Sequence, residues 1–112
     1  MTSVTRELRG VSLLLEPNSG TARLGRRIGS CTIRFDDGSR DHIRIYGQLD
    51  TIWTRPERVE FEKELRNICG DQEVIDELFP GKKIHDCRRF NPSEVLINKG
   101  WRITSQQVTA VS

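Results

Sequence analysis

The chain has 112 residues, 35% hydrophobic and 30% charged, which fits a single domain with one core and excludes global disorder. The longest apolar cluster, Val11 to Leu15, is far too short to span a bilayer, and no N-terminal apolar run marks a signal peptide. A net charge of +2 and an isoelectric point near 8.6 fall below the usual basic footprint of a dedicated nucleic-acid-binding domain.

Residues 1–7 are polar and are expected to fray. Leu8 to Glu16 holds Val11, Leu13, Leu14 and Leu15, which suits a buried strand or a short helix, with strand preferred. Pro17-Asn18-Ser19-Gly20 ends that segment in a turn. Thr21 to Ile28 carries Ala22, Leu24 and Ile28, and Gly20, Gly25 and Gly29 are spaced around it, a pattern that predicts a bent strand or a bulge. Residues 31–47 read as a β-hairpin. Cys31, Ile33 and Phe35 alternate with Thr32 and Arg34, and Ile43 and Ile45 alternate with His42, Arg44 and Tyr46. Strand side chains alternate faces, so one face is apolar and the other cationic. The Asp36-Asp37-Gly38-Ser39 link suits a type I turn with glycine in a left-handed conformation.

After Trp53 the hydrophobic period changes from two to about 3.6. Thr54-Arg55-Pro56-Glu57 opens a helix: Thr54 can cap it, Glu57 can close the capping box, and Pro56 is tolerated in the first turn. Phe61, Leu65 and Ile68 follow at helical spacing with Val59 nearby, and Gly70 is a natural stop. Asp71 can cap a second short helix with Val74, Ile75, Leu78 and Phe79, ended by Pro80-Gly81. Residues 82–90 fit neither period cleanly. Asn91-Pro92-Ser93-Glu94 repeats the capping pattern and predicts a third helix with Val95 and Leu96, stopped by Gly100. Trp101 to Val111 could form a last strand. Strands first and helices after give an α+β fold. An N-terminal antiparallel meander precedes two or three short helices and a C-terminal extended segment. An SH3-like partial barrel is one form such a meander could take.

Charge is unevenly laid out: residues 1–50 carry +2, residues 51–80 carry −4 and residues 81–112 carry +4. An acidic middle between basic flanks can neutralise itself internally or present two opposite surfaces. Arginine outnumbers lysine 14 to 4, which suits bidentate contacts to carboxylate or phosphate but equally reflects codon usage in a GC-rich genome. Cys31, Cys69 and Cys87 are odd in number and widely spaced, which argues against a disulfide framework and for a reducing, cytoplasmic location.

No recognised catalytic spacing is present. His85-Asp86-Cys87 with Cys69 lacks the paired ligand steps of structural zinc, so no metal is expected. Cys87 beside His85 or His42 does not by itself secure a thiol–imidazole pair. Gly20 to Gly29 lacks both the Lys-Ser/Thr of a P-loop and the G-x-G-x-x-G spacing, so no nucleotide or other small-molecule cofactor is expected. Two binding classes remain. The first is docking on a protein partner, as a non-catalytic regulator or inhibitor of the kind found among accessory proteins of phages and mobile elements. Trp53 or Trp101 could supply an interface anchor, and strand edges could pair with another chain, a second copy included. The second is nucleic-acid binding through the hairpin's polar face, with Arg34, His42, Arg44 and Tyr46 extended by the Arg23, Arg26 and Arg27 patch. Protein docking is favoured. Helix-turn-helix groove reading by residues 56–79 is rejected, because Glu73, Asp76 and Glu77 would repel phosphate.

Overall fold

A computed structural model of the chain describes residues 3–18, 27–47 and 55–93. Within them lie five strands and two helices: β1 (Val4–Leu8), β2 (Val11–Pro17), β3 (Arg27–Phe35), β4 (Arg40–Tyr46), α1 (Arg55–Cys69), α2 (Gln72–Leu78) and β5 (Ile84–Pro92). The strands form one antiparallel sheet in the order β1-β2-β4-β3-β5, so the fold is mixed α+β. No described helix is long and apolar enough to cross a membrane.

The segment expected to hold one strand after a frayed start holds two. Val4 to Leu8 pairs with Val11 to Leu15, joined by Arg9 and Gly10 with φ of 51° and 80°. Positive φ at both central residues is the conformation that matches strand twist in a two-residue hairpin. Arg9 is an unusual residue to place there, which is why the turn does not announce itself. The guanidinium of Arg9 then reaches Glu64 on α1.

The hairpin of residues 31–47 forms as expected. Gly38 N–H donates to the Phe35 carbonyl at 3.0 Å, Phe35 N–H donates to the Ser39 carbonyl at 2.9 Å, and Gly38 has φ of 88°. The meander does not form. Instead β4 lies between β2 and β3. Among the described residues the sheet is open, with β1 and β5 at its edges, and no pairing closes it into a barrel. The ambiguous stretch after α2 is β5. Its alternation is broken because its register against β3 shifts twice, between Thr32 and Ile33 and between Arg34 and Phe35. Asn91 and Pro92, read as the start of a third helix, close this edge strand instead, where proline costs no interior ladder bond. The rest of that helix and the last predicted strand fall outside the described residues, as do Thr54, Trp53 and Trp101.

Both helices pack on one face of the sheet. Phe61, Leu65 and Cys69 of α1 and Val74, Ile75 and Leu78 of α2 share a buried cluster with Leu13, Leu15, Cys31, Ile33, Phe35, Ile43 and Ile45. Spacing of four residues in α1 keeps Phe61, Leu65 and Cys69 in one stripe, and Val59, which falls off that stripe, is exposed. Asp71 caps α2 by accepting from Glu73 N–H at 3.0 Å. Gln72, in the first turn of α2, accepts from Ile84 N–H at 3.0 Å and donates to the Lys82 carbonyl at 3.0 Å, which fixes the start of β5.

Candidate functional site

With the helices on one face, the opposite face of the sheet is the natural surface for function. Cross-strand partners set its rows. Asp86, Arg34 and Arg40 form the row nearest the β3–β4 turn. Arg89, Thr32 and His42 form the next, and Asn91, Ser30, Arg44 and Glu16 the third. Cationic and polar side chains therefore run across β5, β3 and β4, because alternation reserves the other side for Cys31, Ile33, Ile43 and Ile45.

Of the residues expected from sequence, Arg34, His42 and Arg44 share this face, with His42 exposed and the two arginines half-buried. Arg27 is exposed at the start of β3, opposite Tyr46. Arg23 and Arg26 lie outside the described residues. Tyr46 has the expected parity but is only 6% exposed, and Arg44 Nη1 donates to its hydroxyl at 3.5 Å. A ring that buried offers no platform for a nucleic-acid base. Arg44 also donates to the Asn18 carbonyl. Beside it across the strands, Glu16 is fully buried. A buried carboxylate placed opposite an arginine is a structural feature before it is a binding one.

The face gains depth at the hairpin end. Each register shift in β5 sets two residues against one of β3: Arg88 and Arg89 oppose Thr32, and His85 and Asp86 oppose Arg34. Bulges of this kind re-aim side chains. Here His85 and Arg88 join Arg34, Arg40, Asp36 and Gly38 around a cleft of about 340 Å³. Arg34 Nε lies 3.8 Å from Asp86 Oδ1, and His85 Nδ1 lies 3.3 Å from Asp36 Oδ1, an ion pair when the imidazole is protonated. His85 thus turns to the cleft while Cys87 packs against the core on the helix side, which separates the two groups considered for nucleophilic chemistry. Three guanidinium groups around one opening are suited to holding a carboxylate or another oxyanion through paired, charge-assisted hydrogen bonds.

The turn below the cleft is braced. Lys82 Nζ donates to Asp37 Oδ2 at 2.6 Å and to Ser39 Oγ at 3.1 Å, and it sits 5.3 Å from the Phe35 ring centroid. The Lys82 ammonium, with donors from Ser39, holds the Asp37 carboxyl well below the usual carboxylate range. Asp36 N–H donates to the Lys83 carbonyl at 2.9 Å, closing the turn against the entry to β5.

Among known proteins, no family model, no curated protein and no solved structure matches this chain. The site therefore rests on its own geometry. Sequence reading separates its parts: Arg40 falls within the hairpin of residues 31–47, Arg88 within the stretch 82–90 that fits neither period, and His85 among the rejected metal ligands. The failure of residues 82–90 to follow either period is the sequence trace of the two bulges that unite them.

Proposed function

We propose that this protein is a non-catalytic docking protein, a small regulator or inhibitor of a reducing cytoplasm, that binds an acidic segment of a protein partner on the helix-free face of its sheet. The observation that carries this reading is the cleft formed by Arg34, Arg40, His85 and Arg88. An Asp or Glu side chain of the partner would enter it and exchange water for guanidinium donors. The surrounding face favours a protein over a nucleic acid. At the cleft itself Asp86 stands beside Arg34 and Asp36 beside His85. A polyphosphate backbone meets repulsion at each carboxylate, whereas a protein surface can match both signs. The burial of Tyr46 removes the aromatic group that base stacking would need.

Affinity for a fluorescent Glu/Asp-rich peptide, measured beside a fluorescent single-stranded oligonucleotide, tests the reading. The native protein should bind the peptide saturably. Replacing Arg34, Arg40 and Arg88 together by Gln should weaken that binding by about tenfold or more, since each charge-assisted hydrogen bond contributes about 1.5–3 kcal/mol. An unchanged thermal midpoint would show that the variant remains folded. Tight, salt-sensitive binding of the oligonucleotide with none of the peptide would overturn the protein reading in favour of nucleic acid.

A further inference from the structure

Three cysteines that are far apart in sequence meet on the helix side of the sheet. Cys31 lies in β3, Cys87 in β5 and Cys69 at the last position of α1. Cys31 pairs with Phe90 and Ile33 with Cys87, so both strands direct their thiols toward the core. The end of α1 comes down on them. A Cβ placed at Gly70 would stand 3.5 Å from Cys87 Cβ. Cys31 and Cys69 share the buried cluster against which Cys87 packs, and all three are free thiols.

The three are not equivalent. Cys31 and Cys69 are fully buried, while Cys87 is partly exposed on an edge strand. Hydrogen bonds from Cys31 and Cys69 favour the Cys87 thiolate, and Arg66 on α1 adds to this, against partial burial and the charge of Asp86. The neighbouring Cys31 and Cys87 thiols, and then burial, push the Cys69 thiol up. An accessible, thiolate-prone cysteine next to buried thiols is the arrangement of a peroxide-reactive cysteine with a resolving partner.

We propose that the cluster is an oxidation site in which Cys87 reacts with a small peroxide and Cys69 resolves it, closing a disulfide between the end of α1 and β5. In the first step the Cys87 thiolate attacks one peroxide oxygen. An S–O bond forms, the O–O bond breaks, and the departing oxygen takes a proton to leave as water or an alcohol. In the second step Cys69 sulfur attacks Cys87 sulfur, the S–O bond breaks, and hydroxide leaves with the Cys69 proton as water. Two thiols lose two electrons in total and the peroxide gains them. A dithiol reductant reverses the change by thiol–disulfide exchange. Cys69 resolves rather than Cys31 because of where the end of α1 lies, with Gly70, its neighbour in the chain, packed against Cys87. A disulfide needs Cα atoms within about 4.4–6.8 Å and a specific torsion. Cys31 is held in an interior strand, with β4 on one side and β5 on the other. Cys69 ends a helix whose next residue, Gly70, would carry a Cβ 3.5 Å from Cys87 Cβ.

The test uses the native chain and hydrogen peroxide. Trypsin places each cysteine in a different peptide: residues 28–34 hold Cys31, residues 67–82 hold Cys69 and residues 84–88 hold Cys87. Stoichiometric peroxide should lower the intact monomer mass by about 2 Da, the signature of one S–S bond, and non-reducing digestion should yield the 67–82 peptide linked to the 84–88 peptide. Dithiothreitol should restore the starting mass. In the Cys69→Ser variant the oxidised Cys87 should persist as a sulfenic acid that dimedone labels. In wild-type protein, brief iodoacetamide labelling at neutral pH should modify Cys87 about tenfold faster than the other two. A link between the 28–34 and 84–88 peptides, a covalent dimer, or unchanged mass under peroxide would each overturn the proposal.

Discussion

A Cβ built at Gly29 would stand 2.5 Å from the Phe90 ring and closer still to the Asn91 carbonyl oxygen, both on β5. The neighbour in question is backbone as well as side chain, so it cannot simply rotate away. Gly29 is also where the β3–β4 register slips and Ile28 becomes an extra residue. Gly29→Ala should therefore destabilise the protein by about 1–3 kcal/mol, the usual cost of forcing atoms into a packed site. Urea denaturation measures it, and a wild-type midpoint would show that β5 does not lie so close. At this scale the sequence is informative in part. A bulge is legible from the glycine, and the apolar residues of the hairpin are legible from alternation. Tyr46 is the counterexample. Alternation gives its face correctly, but burial depends on what surrounds that end of the sheet, and period-two patterning carries no such information.

The β3–β4 hairpin, α1 and α2 are legible as elements because their signals are local: a glycine at the turn, apolar spacing of four, and a capping aspartate. The β1–β2 hairpin is hidden by Arg9-Gly10, a pair less distinctive than Asn-Gly, and β5 is hidden by its bulges. The brace between the β3–β4 turn and the entry to β5 is likewise a non-local product of folding. Lys82 follows α2, and Asp37 lies in the turn. Because the folded-state pKa of Asp37 is lowered, its contribution to stability is complete above the unfolded value, about 3.9 for an aspartate. That contribution is lost as the pH falls through the lower folded value. A carboxyl titration followed by NMR should show Asp37 ionised below the range of ordinary aspartates. Lys82→Met, which removes the ammonium and spares much of the stem over Phe35, should move that titration upward. A titration insensitive to Lys82 would mean that the brace does not persist in solution.

Over the whole molecule, the order of strands decides what the protein can present. Had β2, β3 and β4 run as a meander, β3 would lie beside β2. With β4 interposed, β3 instead pairs with β5, and Arg34 and Arg40 meet His85 and Arg88. Strand order is set by chain length between elements and by long-range packing, so neither the cleft nor the thiol cluster is visible in any window of the sequence. What the sequence does carry is the segregation of a polar, arginine-bearing face from an apolar one. The central claim is that this face is a docking surface for an acidic protein segment. Titration of ¹⁵N-labelled protein with a Glu/Asp-rich peptide, followed residue by residue, tests it most directly. The account predicts saturable shifts centred on Arg34, Arg40, His85 and Arg88, with smaller shifts at His42 and Arg89 and little change along α1 and α2. Shifts confined to the helices, or no saturable response on the outer face of the sheet, would contradict it.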